Sequence, residues 1–173
     1  MAYKVKTESA GDYYFTEKTT TKEYIDLDKV ELSLLISTTL NKIKDKFKTE
    51  LINSPELASQ YLSIKYSQEE REIFGVIWLN QKLNFISIEE LFFGTVNQAD
   101  VHIREVLKSG LKANAASCVL FHNHPSGNTN PSQADIDITK KLKDYLNEVK
   151  ITLRDHIIVG GGTFYSFARE DIL

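Results

Sequence analysis

The run from Phe121 to Asp135, FHNHPSGNTNPSQAD, restricts this chain more than any other feature. It requires a strand, a tight loop and a helix start in immediate succession. Residues 115 to 122 (AASCVLFH) are mostly apolar and end in β-favouring types, which predicts a strand. Along a strand, side chains two apart face the same way, roughly 7 Å from one another. His122 and His124 therefore project together, and Asn123 points away. Pro125 and Gly127 end the strand, and the loop SGNTNP carries the chain to Ser132, a good helix N-cap. Asp135 falls on the first turn of the helix. Its neighbours at i+3, i+7 and i+11 are Ile138, Leu142 and Leu146, the apolar face of that helix. A carboxylate on an inward face is costly unless its charge is compensated. A metal ion held by the two histidines would compensate it.

Two imidazoles and one carboxylate fill three positions of a tetrahedral ion and leave one for water, which the ion turns into a nucleophile. Nitrogen and oxygen donors suit Zn²⁺, although other divalent ions can substitute. His122, His124 and Asp135 are thus the expected metal ligands of a zinc-dependent hydrolase. Three blander readings compete. A strand histidine is commonly a hydrogen-bonded core residue. Ser132-x-x-Asp135 also resembles a variant capping box, in which Asp135 only binds backbone. The contiguous letters HNH suggest a nuclease motif, but in that motif the three residues are normally dispersed.

The rest of the chain narrows the class. Its 173 residues suffice for one compact domain plus an appendage. Hydrophobic residues at 42% and charged residues at 26% are ordinary for a soluble globular protein. The net charge of −3, without a basic block, argues against a dedicated electrostatic DNA-binding surface. No apolar run approaches a membrane span, and the first residues lack the hydrophobic core of a signal peptide. The single cysteine, Cys118, sits mid-strand among apolar residues and reads as a buried, inert thiol. A cytoplasmic location is expected.

Residues 1 to 52 read as an N-terminal extension and residues 53 to 173 as the main domain. The first 27 residues are polar and irregular, with a threonine cluster and a short strand at Tyr13, Tyr14 and Phe15. Leu32, Ile36, Leu40, Ile43 and Phe47 form a stripe that predicts an amphipathic helix over 28 to 50, with lysines on its solvated face. Asn53-Ser54-Pro55 marks the boundary, and Pro55 to Tyr61 forms a short helix. Strands at 72 to 80 and 84 to 94 form a hairpin around Gln81-Lys82-Leu83. A helix from Asp100 to Ala113 turns Val106, Leu107 and Leu111 inward. After the H-x-H strand and the helix from Ser132 to about Val149 come strands at 151 to 159 and 163 to 169. Gly160-Gly161-Gly162 between them is a hairpin turn rather than a phosphate cradle, since no helix follows it. The order β-β-α-β-α-β-β predicts an α/β (α+β) domain with a mixed sheet flanked by helices.

These residues carry a family resemblance. His122-x-His124-Pro125 with Ser132 and Asp135 resembles the JAMM (MPN+) zinc metalloprotease motif. The fuller run HNHPSGNTNPSQADIDITKKL, with EELFFGTV at 89 to 96, VHIREVLK at 101 to 108 and DHIIVG at 155 to 160, closely resembles the RadC family of bacterial proteins. The resemblance covers roughly residues 53 to 173 and implies the JAMM fold, similar in layout to cytidine deaminases. The deaminase signature itself is missing. Full-length RadC proteins usually carry an N-terminal helix-hairpin-helix region, and nothing in residues 1 to 50 looks like one. The family often has proline where Ile103 stands, a difference that bears on a helix start and not on the ligands.

The resemblance also implies roles. Glu72, at the edge of an early strand, matches the JAMM glutamate that takes a proton from the activated water and passes it to the leaving amine. Glu69, Glu70, Glu89, Glu90 and Glu105 are its competitors. Ser132 matches the serine that stabilises the oxyanion, and it doubles as a helix cap. Either His102 or His156 could support a ligand from behind, but core or surface roles are expected, since nothing in their spacing places them on the metal. The reaction implied is cleavage of a peptide or isopeptide bond. The alternatives are a non-catalytic or DNA-binding role in DNA repair or recombination, and an MPN-type interaction module without metal. Substrate, partner and oligomeric state are not legible in the sequence.

Overall fold

The computed structural model describes residues 2–6, 13–15, 22–26, 32, 34–41, 55–94 and 101–173. The chain divides into two compact units, Met1–Lys42 and Ile43–Leu173. The first contains a three-stranded sheet of β1 (Ala2–Lys6), β2 (Tyr13–Phe15) and β3 (Lys22–Asp26), in the order β2-β1-β3. β2 is the strand expected at Tyr13 to Phe15. β1 and β3 correct the reading of residues 1 to 27 as irregular: β1 pairs antiparallel with β2 and parallel with β3. Their alternation is only five residues long and mixes Lys and Glu with Tyr, Val and Ile, so sheet pairing decides what local pattern leaves open. Residues 34–41 are helical within the stretch expected at 28 to 50. Leu32 and Leu35 of that stretch are exposed, while Ile36 and Leu40 are partly covered. Ile43, Phe47 and the lysine run lie outside the described residues.

The second unit is built on a mixed five-stranded sheet, as the sequence predicts. Its elements are α1 (Pro55–Lys65), β4 (Ile73–Leu79), β5 (Phe85–Phe93), α2 (Ile103–Lys112), β6 (Ser117–Asn123), α3 (Gln133–Glu148), β7 (Thr152–Gly160) and β8 (Thr163–Ser166). The strand order is β5-β4-β6-β7-β8. β4 pairs antiparallel with both β5 and β6, and β7 antiparallel with β8. β6 and β7 are parallel. A parallel pair needs a crossover, and α3 provides it. The loop that leaves the carboxyl end of β6 and enters α3 is therefore at the usual place for a site in such a sheet.

β4 and β6 are central, and nearly every residue on them is buried. Phe74, Val76 and Trp78 of β4 alternate onto one face with Cys118 and Leu120 of β6. Val106 of α2, Leu142 and Leu146 of α3, and Ile151 and Leu153 complete that core. On the opposite face Tyr66, just after α1, stacks on Phe121 with ring centroids 5.4 Å apart. The α2 packing required a glycine: a Cβ on Gly110 would meet the Trp78 ring at 2.9 Å. Trp78 in turn donates from Nε1 to Ser109 (2.9 Å), which donates to Glu89 (2.6 Å).

Several boundaries differ from expectation. α1 runs one turn past Tyr61, because Tyr61 and Leu62 are buried against the core. Leu111 does not point inward but is 60% exposed. Five residues place it about 140° around the helix from Val106 at 3.6 residues per turn. Ser109 and Gly110 take the inward positions instead. β6 starts at Ser117 rather than 115 and includes Asn123. The last strand stops at Ser166, where buried Asp155 accepts from the Ser166 hydroxyl (2.6 Å) and the Ala168 amide (2.9 Å) and bends the chain into a turn. No helix among the described residues is long and apolar enough to cross a membrane.

Candidate metal centre

The site lies where β6 meets the loop to α3. His122 pairs across the sheet with Phe74 and Ile158, and the His124 amide continues the ladder by donating to Val159 O (2.8 Å). The period of two brings both rings to the same side, with centroids 4.8 Å apart. Gly127, at φ +83, folds the loop back through a bond from its amide to His124 O (2.9 Å). The β7–β8 hairpin supports this loop directly. A Cβ on Gly160 would stand 2.9 Å from His124 O, and one on Gly161 would stand 3.0 Å from Gly127 O. The glycine run is thus a hairpin turn, as expected, and it also clears room for the loop.

Asp135 comes from the first turn of α3, where a complete capping box forms. Its Oδ2 accepts from the Ser132 amide (2.7 Å) and the Ser132 hydroxyl (2.6 Å), and its own amide donates to Ser132 Oγ (3.2 Å). The capping reading and the clustering of the three residues therefore hold together. Asp135 Oδ1 lies 3.4 Å from His122 Nε2, and Oδ2 lies 3.7 Å from His124 Nε2. The two Nε2 atoms are 3.0 Å apart. One donor atom from each of His122, His124 and Asp135 lies within 4.8 Å of the others, a group able to hold a metal ion.

The chemistry of this donor set fits a cation. His124 Nδ1 lies 2.6 Å from the Asn128 carbonyl, which can only accept, so Nδ1 carries the proton and Nε2 the lone pair. His122 likewise has its Nδ1 engaged, 2.8 Å from His156 Nε2, and turns Nε2 to the same point. Converging nitrogens beside a carboxylate repel unless a positive charge sits between them. Burial acts to raise the Asp135 carboxyl, but His124, His122 and the Ser132 bonds outweigh it and hold the group well below the usual range. Burial pulls His122 down to about 4. The adjacent Asp135 carboxylate pushes His124 up.

Glu72 immediately precedes β4, and its carbonyl accepts from the Gly94 amide (2.8 Å). It is half-buried, and its carboxyl is raised, first by burial and then by the Asp135 charge, with His124 opposing. The structure thus brings Glu72 within electrostatic reach of His124 and Asp135. Four of its competitors are engaged elsewhere: Glu69 with Arg71, Glu89 with Ser109, Glu90 with Lys65 and Glu105 with Lys108. Asn123 holds the Glu72 segment. Its Oδ1 accepts from the Ile73 amide (2.7 Å) and its Nδ2 donates to the Arg71 carbonyl (3.0 Å). The side chain between the two histidines points away from the His-His-Asp group, as expected, and clamps the backbone on both sides of Glu72.

Ser132 has its one hydroxyl proton directed at Asp135. His102 is exposed at the N-cap of α2, edge-on to Phe92. His156 is a core residue, as expected, and its position supports a ligand as well. It is fully buried and contacts both His122 and Thr139 through its ring nitrogens (2.8 and 2.6 Å). Only the register between β6 and β7 reveals this, since the two histidines are 34 residues apart. Cys118 is buried and free, and burial pushes its thiol far up, as suits an inert residue.

A mixed sheet whose central strand ends in H-x-H, facing an acidic helix start, defines a JAB-type domain with a His-His-Asp group. More particularly, the chain belongs to the RadC-like JAB domain family, whose model matches residues 52–172. It is 47% identical over 121 residues to a UPF0758 protein of Haemophilus ducreyi, covering 70% of this chain and 54% of that protein. It is 47% identical over 120 residues to the UPF0758 protein YfjY of Escherichia coli K12, covering 69% and 75%. A UPF0758 protein of Haemophilus influenzae is 40% identical over 145 residues, or 83% of this chain and 66% of its own length. The chain spans about half the length of the first relatives it matches.

Proposed function

We propose that the JAB domain is a zinc-dependent metallohydrolase that cleaves an amide bond in a peptide or isopeptide. The observation that carries this reading is the convergence of His122 Nε2, His124 Nε2 and the Asp135 carboxylate, with the half-buried Glu72 within electrostatic reach of His124 and Asp135. Two imidazoles and a carboxylate suit Zn²⁺. When bound, such an ion supplies Lewis acidity, polarising a carbonyl and making water a stronger acid.

The chain's own groups do the rest. Glu72, raised by burial, is a better proton acceptor than an exposed carboxylate; it takes the proton of the attacking water and returns it to the leaving nitrogen. Asn123 fixes the backbone on either side of that carboxylate. Ser132 orients Asp135, and its hydroxyl reaches an oxyanion only by giving up its bond to Oδ2. The β7–β8 hairpin holds the ligand loop in place through Gly160 and Gly161.

The test is zinc quantification on protein purified without added metal, beside hydrolysis of a peptide and isopeptide library by wild type and Glu72→Gln. The expected result is about one zinc per chain in both proteins. Turnover in the variant should fall by a factor on the order of 10² to 10⁴. Full turnover in Glu72→Gln removes the proton-transfer assignment. DNA binding that survives loss of the ligands, in a protein without hydrolysis, favours the repair-associated role instead.

A further inference from the structure

Behind the ligand group runs a chain of hydrogen bonds whose direction is fixed at one end. The Thr139 hydroxyl, one turn along α3 from Asp135, lies 2.5 Å from the Asp135 carbonyl. A carbonyl only accepts, so the single hydroxyl proton goes there. Thr139 Oγ1 therefore accepts from His156 Nδ1, 2.6 Å away. A neutral imidazole with a proton on Nδ1 has a lone pair on Nε2. That lone pair faces His122 Nδ1 at 2.8 Å, so His122 Nδ1 is the donor and His122 Nε2 is left bare. Each assignment forces the next.

Aromatic rings pack against His156 on two sides. Phe167 stacks on its ring with centroids 4.9 Å apart, and Phe74 meets it edge-on at 5.5 Å. Its backbone amide and carbonyl are taken by Asp155 (2.7 Å) and the Phe167 amide (3.0 Å). Thr139, His156 and His122 are all buried, so water does not compete for these bonds.

We propose that Thr139 and His156 are positioning residues that lock His122 in the tautomer with its proton on Nδ1, so that Nε2 is presented to the metal alongside His124 and Asp135. The relay starts on the backbone of one ligand and ends on the side chain of another. It therefore couples the first turn of α3 to the end of β6, and helix and strand ligands move together. This inference rests on the metal reading of the site, and it makes a separate statement about the metal-free protein.

The variants are His156→Leu, which keeps an apolar filling, His156→Gln, whose carboxamide both accepts and donates, and Thr139→Val, a near-isostere that preserves the fold if His156→Leu does not. Nitrogen-15 spectra of the imidazoles in metal-free protein read the His122 tautomer. Competition with a chromophoric chelator reads Zn²⁺ affinity, and the visible spectrum of Co²⁺-loaded protein reads ligand geometry. Wild type should show His122 protonated on Nδ1. His156→Leu should lose that preference and bind Zn²⁺ about 10- to 100-fold more weakly with an altered Co²⁺ spectrum. His156→Gln should recover most of both properties, and Thr139→Val should shift them in the same direction by less. His122 protonated on Nε2 in the wild type, or Zn²⁺ affinity in His156→Leu and Thr139→Val within twofold of wild type, overturns the relay. A wild type with the expected tautomer that takes up no divalent ion overturns the metal reading instead.

Discussion

β6 begins at Ser117 and ends at Asn123, and its two ends treat buried polar atoms in opposite ways. Ser117 Oγ is buried with no hydrogen-bond partner among the described residues. At the other end, both polar atoms of Asn123 and the Nδ1 atoms of His122 and His124 each have a specific partner, and the two Nε2 atoms converge with Asp135. Both ends belong to the same buried strand, so burial alone does not explain the difference. An unpaired hydroxyl costs about 1–3 kcal/mol, which a domain with a continuous apolar core tolerates once. The carboxyl end has a further requirement: side chains from β6, β7, α3 and the start of β4 must hold fixed directions relative to one another. Paired donors and acceptors provide direction, which apolar contact does not. The contrast separates the part of β6 that supports the fold from the part that supports the site.

The strongest way to break this contrast is to remove a ligand. His124→Ala should take zinc content from about one per chain to near zero. The ring is only partly buried and lies beyond the end of β6, so the sheet itself should survive. Equal metal content in wild type and variant, measured by atomic emission, would show that this end of β6 has no metal function.

Asn123→Ala comes next. It strands the Ile73 amide and the Arg71 carbonyl, at a cost of about 1–3 kcal/mol for each group left buried and unpaired. If Asn123 acts by holding Glu72, zinc content stays at the wild-type level while turnover drops about 10- to 100-fold, as expected for a misplaced catalytic group. Metal assay and kinetics on the same preparation separate this from general destabilisation.

Acid offers a smaller and more specific probe. Burial holds His122 at about 4 in the folded chain against an ordinary value of 6.5. Between those values the unfolded chain binds a proton that the folded chain does not. The stability of the metal-free protein therefore falls as pH drops from 6.5 toward 4. His124 has the opposite sign: its raised value contributes stability below 6.5 that is lost as pH rises through the folded value. Urea midpoints followed down in pH should decline less steeply in His122→Gln than in wild type. Parallel declines would mean that His122 is not buried in its neutral form.

The smallest effect is expected at the other end of the strand. Ser117→Ala removes a hydroxyl without a partner, so stability should stay level or rise by about 1 kcal/mol, with metal content and turnover unchanged. A loss of stability on thermal or urea unfolding would show that the hydroxyl has a partner and that the contrast between the two ends is weaker than drawn.

Much of this arrangement was legible in the residues. The order of the elements from β4 to β8, the mixed sheet and the hairpin at 160 to 162 follow from hydrophobic period and turn residues, which are local properties. The expectation missed β1 and β3, whose five-residue alternation is too short to stand out without its pairing partners. It turned Leu111 inward because an apolar residue at a helical spacing carries no mark of which side of the stripe it occupies. His156 and Asn123 were not assigned to the site for a related reason. One acts across 34 residues of sequence and the other across 50, through pairings that no local window contains.

The sequence by itself determined what depends on spacing within one element. Two histidines at i and i+2 share a face of a strand, and Ser132 and Asp135 at i and i+3 close a capping box. Only the tertiary structure decided what depends on register between elements. It brought Glu72 within electrostatic reach of His124 and Asp135, placed the Asn123 clamp around it, seated Gly160 under the loop that follows β6 and lined up the hydrogen bonds from Thr139 through His156 to His122. Backbone geometry fixes directions over a few residues. Over longer separations they are fixed by which strands pair, and that is a property of the whole packed sheet.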